Sequence, residues 1–127
     1  MTVEISVEKN EENERSNPTV WRPTFSKVVE AFSRKDYSLS GGIEGVSLVL
    51  NETANQIKEY IQDYGEELIQ LPDETWDSSV YIWAGSHWNV LIDLWTAGEG
   101  RSDLVLNAQV SEEDNRYIID ISMVYVP

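Results

Sequence analysis

Phe25, Val28, Val29 and Phe32 recur at i, i+3, i+4 and i+7, which places all four on one face of a helix. The pattern predicts a helix over 24–34, with Thr24 as N-cap after Pro23. A second helical run follows. Ala54, Ile57, Ile61, Tyr64 and Leu68 repeat at spacings of three and four, with Glu52, Glu59, Asp63, Glu66 and Glu67 on the other sides. Asn51 is expected to cap it through its side-chain oxygen. Gly65 ends or loosens it, and Pro72 stops whatever remains. Between the two runs, residues 36–45 read as a loop punctuated by Gly41-Gly42, and Val46, Leu48 and Leu50 alternate as a brief extended segment.

Downstream the period falls from 3.6 to two. Residues 80–84 and 88–95 flank Gly85-Ser86, a hairpin signal. Trp88, Val90, Ile92 and Leu94 share one face; Asn89, Leu91, Asp93 and Trp95 share the other. Residues 97–102 read as a connection, 104–110 as a third strand, and 111–115 as a turn into a fourth strand over 116–126. In that last strand Tyr117, Ile119, Ile121, Met123 and Tyr125 line one side. Short connections make the strands antiparallel. Helices first and strands afterwards give an α+β domain: two N-terminal helices on one face of a four-stranded antiparallel meander, open or curled into a cone. Residues 1–19 are polar and acidic and read as a flexible tail before a single domain over 20–127. The alternation of Val3, Ile5 and Val7 offers a short edge strand as the alternative.

Composition adds size to the core. Five Trp, six Tyr and two Phe supply large apolar surfaces. With no cysteine, neither a disulfide framework nor thiolate chemistry is available. The N-terminus has no basic region followed by an apolar one, and no apolar run approaches the ~18 residues of a membrane span. A cytoplasmic protein is expected.

Charge changes the picture more. There are 23 acids against nine bases, a net charge of −14. Such a chain repels phosphate backbones and anionic membranes, and the partner its field favours is a basic one. Solubility alone also produces acidic proteins. The distribution is uneven, however. No lysine or arginine lies between Lys58 and Arg101, an interval holding Glu59, Asp63, Glu66, Glu67, Asp73, Glu74, Asp77, Asp93 and Glu99. A surface evenly charged for solubility would intersperse the signs.

Candidate chemistry is thin. His87 is the only histidine, without a cysteine to join it, and no spaced acidic loop of EF-hand type appears, so no metal or other cofactor is expected. Its place at a hairpin points to a solvated or cross-strand role. Asp73, Glu74 and Asp77 could act as general acid and base only if one were buried; between Pro72 and a strand, exposure is the default. Asp93 lies inside the apolar VLIDLW and needs a partner, for which Arg101 or Arg116 is available. Residues 41–45, GGIEG, lack the lysine of a phosphate loop. Trp76, Trp83, Trp88 and Trp95 cannot all point inward if the strands alternate. One face should be core, and the other would carry Trp83 and Trp95 among carboxylates, as an interaction hot spot does. The alternative is a sheet covered on both sides.

The stretch DLWTAGEGRSDLVL (residues 93–106), with DYG at 63–65 and LP at 71–72, resembles an uncharacterised family of small bacterial domains in which a strand ending LWT enters an EGRSDL turn. The resemblance spans about residues 20–126 and supplies no catalytic residues. More distantly, such small stand-alone proteins resemble the immunity proteins of toxin systems. That resemblance implies a non-enzymatic inhibitor, a monomer or weak homodimer, that binds and neutralises a basic toxin domain, a nuclease by preference. The surface would comprise Glu66, Glu67, Asp73, Glu74, Trp76, Asp77, Trp83, Asp93, Trp95 and Glu99. Arg101 would fix its own turn. Two other readings stand beside it. One is an inhibitor or regulatory subunit of some other basic protein. The other is a small-molecule-binding domain or enzyme: the KDY after the first helix resembles nuclear-transport-factor-like cones, with Asp93 and His87 as pocket groups.

Overall fold

The computed structural model describes residue 7 and residues 9–127. The alternation at Val3 and Ile5 lies outside the described residues. Helix α1 spans Arg22–Ser33 and helix α2 spans Asn51–Tyr64. A 3₁₀ turn covers Asp73–Asp77. The strands are β1 (Arg15–Ser16), β2 (Val80–Trp83), β3 (Trp88–Thr96), β4 (Gly100–Glu113) and β5 (Arg116–Tyr125). They form one antiparallel sheet in the order β1-β2-β3-β4-β5. The fold is therefore α+β, with five strands where the sequence pattern predicts four. The fifth, β1, comes from the stretch read as a tail. It pairs Arg15 with Tyr81 and Ser16 with Val80, and a two-residue strand is too short to show any period.

The helices keep their predicted faces but not their predicted starts. α1 begins two residues before Thr24, with Pro23 in its first turn, where a missing N–H costs nothing. Phe25, Val28, Val29 and Phe32 are all buried. Leu50 rather than Asn51 occupies the N-cap of α2, and no side chain caps it. Gly65 closes α2 in the left-handed region at φ 82°, a conformation that penalises a Cβ. Leu68 lies beyond the helix and bridges Thr96 instead.

The face of β3 marked by Trp88, Val90, Ile92 and Leu94 is fully buried. It joins Leu104, Leu106, Val110 and the buried sides of both helices in one core. Two irregularities set what reaches the opposite face. Between Asp93 and Trp95 the register of β3 against β4 shifts, and Ser102 bridges the gap: its hydroxyl donates to Leu94 O (2.7 Å) and accepts from Leu104 N (3.1 Å). Between Asn107 and Ala108 a bulge at Ser122 flips the end of β5. Ile119 and Val124 therefore point inward, while Met123 and Tyr125 lie across from Asn107 and Val105. The uninterrupted alternation expected over 117–125 fails at that residue. The predicted connections are also shorter. β4 runs on into both, and Asp114-Asn115, at φ 49° and 63°, form the entire turn to β5.

The outer edge of β5 is covered in part. Gln56 of α2 donates to Val124 O (2.7 Å) and accepts from Val124 N (3.2 Å). Ser47 N and Gly45 O bind Ile119 in the same way. These contacts pair the backbone groups of Ile119 and Val124, which shortens the stretch of edge open to other strands. Among the described residues no helix is long and apolar enough to cross a membrane.

Candidate functional site

β2, flanked by β1 on its other side, covers only the first half of β3. The outer edge of the second half is taken by what precedes β2. Ile69 N donates to Trp95 O (3.0 Å) and Ala97 N to Glu67 O (2.9 Å). The 3₁₀ turn comes next. Thr75 Oγ1 donates to Asp93 O (2.6 Å), Asp93 N donates to Ser79 Oγ (3.0 Å), and Ser78 Oγ donates to the Asp93 carboxylate. Asp93 is thus held by three hydroxyls and by neither expected arginine. Arg101 lies across from Trp95, past the register shift, and Arg116 begins β5, two strands away. Between described residues the ion pairs are Lys9–Glu112 and Arg34–Glu30, so Arg101 fixes its turn through no carboxylate among them.

This flank gathers six of the nine acids of the base-free interval in two groups, Glu59 and Asp63 lying on α2 and Asp93 within β3. At the β3–β4 turn, the Glu66 carboxylate lies against Gly98 so closely that a Cβ there would collide with it. Glu67 is tied to Ala97, and Glu99 N donates to Thr96 Oγ1 (3.2 Å). Tyr64 responds to these charges. The Asp103 amide donates to its hydroxyl (3.1 Å) and draws its pKa down. The hydrogen bond to Glu99, desolvation and the charges of Glu99 and Asp103 outweigh that and leave it raised. Asp73, Glu74 and Asp77 form the second group, exposed on the 3₁₀ turn. None of these carboxylates is in an ion pair with a described residue.

The tryptophans do not join them as the sequence reading expects. Trp76 is 6 % exposed, with the Arg22 guanidinium 5.5 Å from its ring centroid. Trp83 lies directly opposite Trp88, ring centroids 4.8 Å apart, on the core side of the sheet. Trp95 is on the other side, half-buried against Gly100, with its Nε1 enclosed and unpartnered. Trp83 and Trp95 therefore face opposite ways, because the hairpin register aligns Trp83 with the buried set of β3.

His87 binds Ser86 Oγ (3.0 Å) and Asn89 Oδ1 (3.2 Å). It is six residues from Asp93 along one extended chain, about 20 Å at strand rise, so the two cannot share a small pocket. Behind the sheet the interior is filled by side chains with no exposure. Among the described residues no three His, Asp or Glu converge as a metal would require. The clefts are at the surface. One of about 330 Å³ opens between the C-terminal ends of α1 and α2, lined by Phe32, Tyr37, Ile61, Glu66, Glu67 and Leu68 among others. Sequence reasoning passed over Tyr37, Tyr64 and the hydroxyls of Thr75, Ser78 and Ser79. The T-x-x-S-S run after Pro72 was the one available signal for the last three.

Compared with known proteins, residues 29–127 match the family model described as Domain of unknown function (DUF7668). No curated protein and no solved structure matches.

Proposed function

We propose, for a chain that belongs to the DUF7668 family, a role as a non-catalytic binding protein that takes a cationic protein surface against the acidic flank of β3. Its specific form is an immunity or antitoxin-type inhibitor of a basic toxin domain. The observation that carries this reading is the flank itself. Glu66, Glu67 and Glu99 at one end and Asp73, Glu74 and Asp77 along the 3₁₀ turn lie on one edge, in no ion pair with a described residue. An enzyme that grips phosphates carries a basic site. A carboxylate edge can occupy that site and steer fast association. With Trp76 and Trp83 turned away, charge rather than indole anchoring would dominate the encounter. The cytoplasm, where such an inhibitor guards its producer, is the compartment this reading requires.

The test uses the product of the neighbouring reading frame as partner. Co-expression should protect cells from it. The combined Asp73→Lys, Glu74→Lys and Asp77→Lys variant should associate at least about tenfold more slowly and lose most of its salt dependence, since rim charges act mainly on the on-rate. Unchanged association kinetics in the triple variant would remove this flank from the interface.

A further inference from the structure

The cleft between the helix ends combines three independent features. Phe32 and Ser33 of α1 and Ile61 and Gln62 of α2 line it, and neither helix has a base in its last turn. The negative end of the α2 dipole therefore meets no base in its last turn or in the four residues after it, whereas Arg34 and Lys35 directly follow α1. The rings of Phe32 and Tyr37 stand 6.1 Å apart, tilted by 35°. Tyr37 is 8 % exposed, and its hydroxyl has no hydrogen-bond partner among the described residues. Tyr37 is nine-tenths buried as a residue and lines the cleft, while its hydroxyl keeps contact with solvent, where a guest can meet it. Burial also pushes its pKa up.

We infer that this cleft receives an arginine side chain of the cationic partner, its stem along Ile61 and Leu68, its guanidinium beside Tyr37 and its hydroxyl, with Glu67 as counter-charge. The inference rests on the reading of a basic partner. Arginine fits better than lysine because a planar guanidinium stacks on aromatic faces while donating in its own plane. Glu66 also lines the cleft, but its carboxylate folds onto Gly98, which leaves Glu67 as the acid able to turn inward. Lys35 lines the cleft too, exposed and at φ 67°, and forms no ion pair with a described residue. Its ammonium opposes a cationic guest, whereas a zwitterionic guest would need it. That difference supplies the sharpest test.

The full chain, isotope-labelled, is titrated with N-acetyl-arginine-methylamide and with the neutral citrulline analogue, and the backbone amide shifts are followed. The arginine probe should shift Phe32, Tyr37, Gly65 and Leu68, with the millimolar Kd that suits a ligand this small. The citrulline probe should bind about tenfold more weakly, Glu67→Gln should cost about fivefold and Tyr37→Phe about threefold, and Lys35→Met should tighten binding. Equal binding of the two probes, shifts confined to other surfaces, or loss of binding in Lys35→Met would each overturn the assignment. The triple variant of the 3₁₀ turn lies outside the cleft and separates the two claims. Probe binding with unaltered partner kinetics in that variant leaves the cleft standing and removes the flank. Slowed partner association with no probe binding does the reverse.

Discussion

Asp93 is the residue at which local and tertiary demands meet. A charged side chain in an apolar strand calls for a counter-charge, yet here the carboxylate takes only the Ser78 hydroxyl, while the Thr75 and Ser79 hydroxyls hold the Asp93 backbone carbonyl and amide. Ser79 matters most among them, because it is 1 % exposed and accepts the Asp93 amide. Ser79→Ala leaves that amide without an acceptor and should cost about 1–3 kcal/mol in a denaturant titration. A loss within error would mean that the 3₁₀ turn is not fastened to β3 through this hydroxyl. Asp36 shows the opposite balance. Its pKa is lowered chiefly by the Ser40 amide, with burial opposing and the Ser40 hydroxyl assisting. A lowered folded-state value means a contribution present above the unfolded pKa and lost as pH falls through the folded one. At this exposed site the contribution is small.

The ends and edges of elements are decided by backbone conformation more than by side-chain pattern. Gly65 has open space where a Cβ would stand, so its requirement is conformational alone. Gly65→Ala should destabilise by about 1 kcal/mol through the left-handed φ. Gly41 also has open space but no positive φ, so Gly41→Ala should be neutral or slightly stabilising. Thermal melts of the pair check the claim, and equal shifts would refute it. The strand interiors follow period two where no bulge intervenes. At Ser122 one inserted residue reverses the facing of Met123 and Val124, and no composition signal at that position announces it. The hairpin has a similar effect. Whether Trp83 joins the core or the open face depends on how many residues the turn at Gly85 consumes. Here Ala84 N donates to His87 O (2.7 Å), and Trp83 is set opposite Trp88.

Across the whole molecule, the net charge of −14 is a cost to the folded state, because compaction brings like charges together. Salt should relieve it. With a Debye length of about 10 Å at 0.1 M, the melting temperature should rise as sodium chloride is raised from low to moderate concentration. A flat or falling curve would show that the carboxylates are compensated within the chain. While it left open whether α2 ends at Gly65 or runs on to Leu68, the amino-acid sequence by itself determined the α+β class, the buried faces of α1 and β3 and the base-free acidic interval. Each is written in neighbouring residues whose spacing or composition survives any arrangement of the rest. Only the tertiary structure decided that Arg15–Ser16 joins the sheet, that Trp83 and Trp95 part company and that Asp93 is held by hydroxyls. It likewise brought Tyr37 and Glu67 to one cleft at the ends of two helices. These outcomes depend on register, bulges and the meeting of segments distant in the chain, which local periodicity does not encode.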